Sequence, residues 1–158
     1  MPLGEHSARA AVASVCDPEL PGLTLEDLGV LRSVEVDAAG AVLVLLTPTY
    51  SGCPALDAMR EDVLKALRAA GFPRAKVEFT LTPPWSTSML GPRARERMRA
   101  LGIAPPGVGS TPISITLKCP NCGSLRTEET SRFGTTSCKS LWRCRSCGEP
   151  FEHFKALH

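Results

Sequence analysis

Two Cys-x-x-Cys-Gly segments near the end of the chain constrain its fold more than any other feature. They span Cys119–Gly123 and Cys144–Gly148, and 21 residues separate the second cysteine of one from the first cysteine of the other. Each segment is a tight turn that aims two thiolates at one ion, and the glycine permits a positive φ after the second cysteine. The double spacing predicts a closed four-thiolate metal site with the ligands Cys119, Cys122, Cys144 and Cys147.

Zinc is the expected occupant, in a structural role, because four thiolates leave no coordination position open. Iron or an iron–sulfur cluster is the alternative, since four-thiolate sites accept both. Residues 113–158 contain few other large apolar side chains, and a domain with so small a core usually needs a metal to fold. We therefore expect a zinc ribbon at residues 113–158, a Pro/Gly-rich linker at residues 103–112 and a separate domain at residues 1–102.

The first hundred residues alternate between helical and strand patterns. Patterning predicts a short helix over His6–Val15 and a hairpin of two strands, Leu31–Val36 and Val42–Leu46. The strongest helical pattern covers Ala55–Ala70, where apolar residues recur every three or four positions. A third strand is expected over Lys76–Leu81, and an arginine-rich helix over Pro92–Leu101.

Cys53 lies in the loop between the second predicted strand and the strongest helix. If Pro54 takes the first helical position, Cys53 lies at or beside the N-cap, where backbone N–H groups and the helix dipole stabilise a thiolate. The hydroxyls of Thr47, Thr49 and Ser51 crowd the same turn. The residues alone leave two interpretations open: a nucleophile or metal ligand, or a small buried residue that caps a helix.

Three further positions are candidates for chemistry. Asp17 and Glu19 could form a mixed sulfur and oxygen metal site with Cys53, although spacing alone favours a helix cap and a solvated loop. Cys16 is expected in the core. Cys138 lies between the two Cys-x-x-Cys-Gly segments, which we call the knuckles. The sequence leaves three interpretations of Cys138 open: a fifth thiol near the metal, part of a labile second site, or a buried cysteine.

Composition excludes several classes of protein. No apolar run reaches the ~18 residues needed to span a bilayer, and the first residues do not match a signal peptide. Seven cysteines without an export signal favour metal-bound and free thiols in a reducing, cytoplasmic compartment. Residues 113–158 carry seven basic and four acidic residues, a net charge of +3 that is too small to argue for nucleic-acid binding.

The sequence resembles two known protein families. Residues 1–112 resemble the small domain family associated with iron–sulfur cluster assembly, through Asp17-Pro18-Glu19, Thr24–Leu31 and the T-x-x-x-x-x-C-P pattern of Thr47–Pro54. The whole chain resembles the phenylacetate-degradation accessory family of phenylacetyl-CoA epoxidase systems, in segments that include DPELPGLTLEDLGVLRSV, LTPTYSGCPALDAM, CPNCGS and FGTTSCKSLWRC. The combination of the domain with the ribbon is what makes the second resemblance specific.

The resemblance implies an α+β fold with a small mixed sheet, followed by the ribbon. It implies an accessory protein, not an enzyme, that helps to assemble or repair an iron–sulfur or di-iron centre in subunits of the epoxidase, including its iron–sulfur flavoprotein reductase. Cys53 would then hold a transient cluster or iron, with Asp17 and Glu19 nearby. The sequence agrees that this is not the catalytic di-iron protein, because it contains no Glu-x-x-His pair of the kind that di-iron helix bundles use. It also contains no Gly-x-Gly-x-x-Gly motif for binding a dinucleotide. The alternative is a structural protein that docks the oxygenase through its ribbon.

Overall fold

The computed structural model describes residues 4–20, 22–49, 55–106 and 117–155. The chain divides into two compact units, Met1–Gly91 and Pro92–His158. The first contains helix α1 (Glu5–Ala13), strands β1 (Leu31–Val36) and β2 (Val42–Leu46), helix α2 (Leu56–Ala69), strand β3 (Ala75–Phe79) and a 3₁₀ turn (Thr87–Met89). The second contains helix α3 (Pro92–Ala100) and strands β4 (Ile103–Ala104), β5 (Thr127–Ser131), β6 (Lys139–Cys144) and β7 (Pro150–Phe154).

A three-stranded mixed sheet in the order β1-β2-β3 organises the first unit. Strands β1 and β2 form the predicted antiparallel hairpin, whereas β2 and β3 run parallel and are joined by α2. A parallel pair requires such a crossover, because the chain must return to the same end of the sheet. The α+β class with a small mixed sheet is confirmed.

The core of the first unit forms where α1 and α2 cover the sheet. Alternate residues of β2 are buried, which are Val42, Val44 and Leu46, as period-two patterning requires. Helix α2 turns Met59, Val63 and Leu67 inward at steps of four. A run of fully buried side chains from the preceding turns completes this core: Leu23, Leu25, Leu28 and Val30.

A close approach between two loops explains one glycine of the first unit. Gly29 has φ +70°, and a Cβ at this position would lie 2.8 Å from both the Cβ and the carbonyl oxygen of Met89. The neighbouring loop is also fixed by Trp85, which is buried and donates from Nε1 to the carbonyl oxygen of Leu28 at 2.8 Å. The absence of a side chain at Gly29 therefore lets the 3₁₀ turn lie directly against residues 28–30.

The second unit is built on a four-stranded sheet in the order β4-β7-β6-β5. Strand β4 runs parallel to β7, and its two residues belong to the predicted linker over residues 103–112. Helix α3 was expected in the first domain, but it packs against β4 and belongs to the second unit. The division at Gly91/Pro92 therefore differs from the predicted boundary at residue 102, because β7 satisfies the backbone of Ile103 and Ala104. Residues 107–116 lie outside the described part.

One hydrophobic cluster of the second unit is small. Its buried members are Ala104, Cys119, Trp142, Cys144 and Phe151, and Leu117 packs against them. His153 is also buried, and its ring meets that of Trp142 edge to face at a centroid distance of 6.2 Å. Two of these core residues are predicted metal ligands, so packing and metal binding share the same atoms. Among the helices that the structure describes, none has the length and apolar character to cross a membrane.

Candidate metal centre and thiol loop

The two knuckles have the same backbone geometry. In the first, the N–H of Gly123 donates to the carbonyl oxygen of Cys119 at 2.9 Å, and in the second, the N–H of Gly148 donates to that of Cys144 at 3.0 Å. Both glycines have positive φ, at +78° and +80°. Each turn therefore folds back within five residues, which holds both of its sulfur atoms on one side.

The structure brings the four predicted ligand atoms together. The Sγ atoms of Cys119 and Cys147 are 3.8 Å apart, those of Cys122 and Cys144 are 3.6 Å apart, and all four lie within 4.8 Å of one another. A regular tetrahedron with metal–sulfur bonds of about 2.3 Å has edges of about 3.8 Å. The donor set and its spacing therefore fit one tetrahedral metal ion held by Cys119, Cys122, Cys144 and Cys147.

Hydrogen bonds around the sulfur atoms favour a metal-bound thiolate. The backbone N–H of Cys147 and then that of Ser146 point at Cys144 Sγ, at 3.5 and 3.4 Å, and they lower the pKa of that thiol to about 6 against the opposing effect of burial. Asn121 Nδ2 lies 3.6 Å from Cys147 Sγ. The N–H of Ser124 likewise lowers the pKa of Cys122, but burial and the neighbouring thiols outweigh it and raise the pKa to about 11. Four adjacent thiolates repel one another, so full ionisation needs the charge of a bound cation.

The two knuckles are also joined directly to each other. The hydroxyl oxygens of Ser124 and Ser146 are 2.7 Å apart, and the N–H of Arg145 donates to the carbonyl oxygen of Arg126 at 2.7 Å. Arg145 Nε donates to Glu128 Oε2 at 2.9 Å, and this guanidinium holds the pKa of Glu128 below its usual value. These contacts tie the two turns to each other beside the four sulfur atoms.

Cys138 is a buried cysteine outside the four-sulfur cluster. Its side chain is 3% exposed, and its Sγ lies 3.0 Å from the hydroxyl of Thr136. Of the residues that the structure describes, only the four knuckle cysteines form a group that could hold a metal ion. The structure therefore supports the third of the alternatives for Cys138, a buried residue.

Asp17 organises the turn that follows it. Its side chain is buried, and Oδ1 accepts from the N–H of Glu19 at 2.7 Å and from that of Leu20 at 3.1 Å. A carboxylate used in this way stabilises the turn after Pro18 by replacing solvent as the acceptor. Glu19 itself is half-buried. The predicted solvated loop is thus a packed turn, and Asp17 has a structural task there.

Thr47 is completely buried at the end of β2, and sequence reasoning missed its partner. Arg32 Nε donates to Thr47 Oγ1 at 2.8 Å, and Arg32 Nη2 donates to the carbonyl oxygen of Pro83 at 2.9 Å. The pairing of β1 with β2 slips by one residue between Leu31 and Ser33, which leaves Arg32 as the extra residue of a bulge. A bulge re-aims a side chain, and here it directs the guanidinium at two loops. Arg32 is the one cation of this strand, and this was the available signal.

The loop between β2 and α2, residues 47–55, contains Cys53 and is called the thiol loop; the structure describes only part of it. Thr49 is half-buried, and Cys53 lies in residues 50–54, outside the described part of the chain. Helix α2 begins at Leu56 with Ala55 as its N-cap, so the expectation that Pro54 takes the first helical position is wrong, and Cys53 precedes the N-cap by two residues. The N-cap residue Ala55 has no side chain that could accept a hydrogen bond from the amide groups at this end of α2. These amides carry the positive end of the helix dipole.

Cys16 is exposed, and the expectation that it is a core residue is wrong. It forms a β-bridge with Thr24, and its neighbours Val15 and Asp17 are buried. Extended backbone alternates its side chains between two faces, so burial of positions 15 and 17 turns position 16 outward.

Two family models match the chain, one over part of each unit. Residues 5–79 match the model described as iron–sulfur cluster assembly protein, and residues 105–155 match the model described as PaaD zinc beta ribbon domain. The chain is 42% identical over 154 residues to an Escherichia coli K12 protein whose name makes it a subunit of 1,2-phenylacetyl-CoA epoxidase, and the match covers 96% of this chain and 93% of that protein.

Other relatives match a smaller part of the chain. A protein of Porphyromonas gingivalis named Fe-S protein maturation auxiliary factor is 38% identical, over 57% of this chain and 83% of its own length. A crystal structure of a domain of unknown function, DUF59, from Bacillus anthracis is 30% identical and superimposes with a TM-score of 0.55 over 62% of this chain and 91% of that domain. The chain therefore belongs to the PaaD family of phenylacetyl-CoA epoxidase proteins, in which an iron–sulfur cluster assembly domain is followed by a zinc ribbon.

Proposed function

We propose that this protein is an accessory factor of a phenylacetyl-CoA epoxidase, and that it helps to assemble or repair an iron–sulfur or di-iron centre in the partner subunits. In this proposal the thiolate of Cys53 binds iron or a cluster and passes it to the partner's own ligands. The transfer is a ligand exchange that leaves Cys53 chemically unchanged. The protein catalyses no step of the epoxidation itself.

The observation that carries the proposal is the frame around the thiol loop. Thr47, at its start, is buried and accepts a hydrogen bond from Arg32, while helix α2 begins at Leu56, just beyond its end. The positive end of a helix favours a thiolate that lies near it. The match of residues 5–79 to an iron–sulfur cluster assembly model supports the same assignment.

We assign the carboxylates near Cys16 a supporting role. Asp17 shapes the turn through its two backbone contacts, and the half-buried Glu19 is the better candidate for a transient oxygen ligand. In the second unit, Cys119, Cys122, Cys144 and Cys147 hold zinc, which cross-links the two turns that supply Cys119 and Cys144 to the hydrophobic cluster around Trp142. Both sites require reduced thiols, which agrees with work in the cytoplasm.

The test is a comparison of Cys53→Ser with Cys16→Ser. Each variant replaces the wild-type protein in a strain that carries the epoxidase subunits and their iron–sulfur flavoprotein reductase, and those partners are purified without oxygen. Cys53→Ser should leave iron and acid-labile sulfide in at least one partner well below the wild-type level and should slow growth on phenylacetate. Cys16→Ser is the matched control, because it removes an exposed thiol from the same unit.

Full metal content in every partner from the Cys53→Ser strain would contradict the proposal. In that case the protein serves the epoxidase as a docking protein, and disruption of Cys119 or Cys144 should abolish association while Cys53→Ser stays silent.

A further inference from the structure

The three-stranded sheet of the first unit has two faces of different character. Helices α1 and α2 cover one face, where the buried valines Val34, Val44 and Val77 lie at the same level of neighbouring strands. The other face carries the alternate residues of the same strands, since successive side chains of a strand point to opposite sides. When the second face of a sheet meets solvent, its residues are normally polar. Apolar side chains at the middle of this face therefore need an explanation.

The second face has an apolar centre between two charged edges. Its centre is formed by Leu43 and Leu45 of β2, which are both half-buried. In the register of the sheet, Glu35 of β1 and Lys76 of β3 lie on either side of Leu43. Both charged residues are exposed. The row across the sheet therefore reads carboxylate, leucine and ammonium.

A second row lies beside the first on the same face. Ser33 of β1 and Glu78 of β3 lie on either side of Leu45. Within β3, Lys76 Nζ and Glu78 Oε1 form an ion pair at 2.5 Å. None of the residues that the structure describes forms an ion pair or a side-chain hydrogen bond with Glu35. The face thus joins an unpaired carboxylate at one edge to a lysine at the other.

We propose that this face is the interface between two copies of the chain, related by a two-fold axis that lies between the two sheets and runs parallel to the strands. Such an axis places β2 over β2, and β1 over β3 of the second copy. Glu35 then meets Lys76 of the second copy, because both residues lie at the level of Leu43. A two-fold axis repeats each contact, so Lys76 of the first copy also meets Glu35 of the second.

The remaining residues of the face match in the same arrangement. The leucines of the two copies pack against each other between the sheets, which lie about 10 Å apart in aligned packing. Ser33 meets Glu78 of the second copy, where a hydroxyl can donate to a carboxylate. The ion pairs at the edges set the orientation more than the affinity. Three short strands bury little area, so the dimer should dissociate with a constant in the micromolar range.

A second copy is the favoured occupant because the charges of this face complement the face itself. A two-fold axis perpendicular to the strands is less favourable, since it places Glu35 against Ser33 and gives this carboxylate no cation. The parallel axis has a further consequence. It directs β2 of both copies the same way, so the two thiol loops begin at the same end of the dimer. The inference goes beyond the proposed function and does not depend on metal transfer.

The test measures the mass of the full-length, zinc-loaded protein by sedimentation equilibrium at concentrations up to about 0.5 mM. Wild type should approach the mass of a dimer. Glu35→Lys and Lys76→Glu should each weaken the dimer at least tenfold, because each places like charges together at both contacts. The chain that carries both changes should regain the dimer. An equimolar mixture of the two single variants should form a heterodimer, in which both contacts again join opposite charges.

The control variants are Glu61→Lys and Lys65→Glu, which make the same charge changes at exposed positions of α2. Both should dimerise within twofold of wild type. Leu43→Glu should abolish the dimer, because it places carboxylates at the apolar centre of the interface. Unchanged circular dichroism and thermal unfolding midpoints exclude misfolding as the cause of a loss.

Three results would overturn the inference. The first is a wild-type monomer at every concentration, and the second is an equal loss in the control variants. The third is a loss in Lys76→Glu that neither the second change nor the mixture restores, which would indicate the perpendicular axis. If the wild type is a monomer and the charge variants bind an epoxidase subunit more weakly, this face docks that subunit instead. None of these measurements involves Cys53 or partner iron, so their failure leaves the proposed function standing.

Discussion

Arg32 Nε donates to the buried hydroxyl of Thr47 at 2.8 Å, and the same guanidinium reaches the carbonyl oxygen of Pro83. The contact joins a bulge in β1 to the start of the loop that contains Cys53. One side chain therefore holds two loops of the first unit against the sheet. Removal of either partner leaves a polar group in the interior without its bond.

A double-mutant cycle with Arg32→Met and Thr47→Val should give a coupling free energy of about 1 kcal/mol in urea unfolding at neutral pH. Valine keeps the volume of threonine, so its effect reports the hydroxyl. Arg32→Met should cost more than Thr47→Val, since it also removes the bond to Pro83. Strict additivity of the two single variants would show that the contact does not contribute in solution.

Gly29→Ala should destabilise the first unit by roughly 2–4 kcal/mol, because strain at positive φ adds to a clash with Met89. Gly40→Ala is the control, since Gly40 also has positive φ, at +78°, but a Cβ there would meet nothing within 4 Å. It should cost only about 1 kcal/mol. The difference between the two thermal unfolding midpoints isolates the close approach, and equal costs would mean that the 3₁₀ turn moves away freely.

Metal removal should unfold the second unit and leave the first intact. The chain has two tryptophans, and each is buried in a different unit, Trp85 in the first and Trp142 in the second. With Trp85→Phe, the remaining indole should shift its emission to the red when a chelator is added. With Trp142→Phe, emission should stay constant under the same treatment.

Cys144→Ser should reproduce the effect of the chelator without any chelator present. Cys138→Ser is the matched control, because it changes a buried cysteine of the same strand region outside the cluster. It should keep one metal ion per chain by elemental analysis. If the Cys138→Ser protein keeps its fold but loses the metal ion, Cys138 is a metal ligand after all.

His153 should make the second unit sensitive to acid. Burial, together with the charge of Lys155, lowers its pKa from 6.5 to about 4, and its Nε2 is buried without a hydrogen-bond partner in the described residues. Between these two pKa values the unfolded chain binds the proton and the folded chain does not, so stability falls as the pH is lowered through this range. The expected loss from pH 7 to pH 5 is about 2 kcal/mol.

The phenylalanine variant of this position provides the comparison. His153→Phe keeps an aromatic ring beside Trp142 and removes the titrating group. Acid also protonates the thiolate ligands in both proteins, so the measurement is the difference between wild type and variant at each pH. A difference that stays constant from pH 7 to pH 5 would contradict a buried neutral imidazole.

Local patterns in the sequence were sufficient for most elements. Hydrophobic periodicity predicted α2 and the β1–β2 hairpin, because it depends on residues that are near in sequence. The cysteine spacing predicted a four-thiolate group, because each Cys-x-x-Cys-Gly segment forms the same kind of turn. Strand β4 was not predicted, because a segment of two residues is too short to show hydrophobic periodicity. Only its pairing with β7 makes it a strand.

Single side chains were harder to predict than elements. Cys16 and Cys138 are the same residue type, yet Cys16 is exposed and Cys138 is buried. The packing of the neighbouring segments decides which side each side chain faces. Arg32 and Thr47 are fifteen residues apart, and a slip in strand register brings them together. By itself, the sequence determined the two kinds of unit, the helices and strands with strong hydrophobic periodicity, and the grouping of the four knuckle cysteines. Tertiary structure alone decided the boundary at Gly91/Pro92 and the contact of Arg32 with Thr47, because each depends on packing between segments that no local pattern relates.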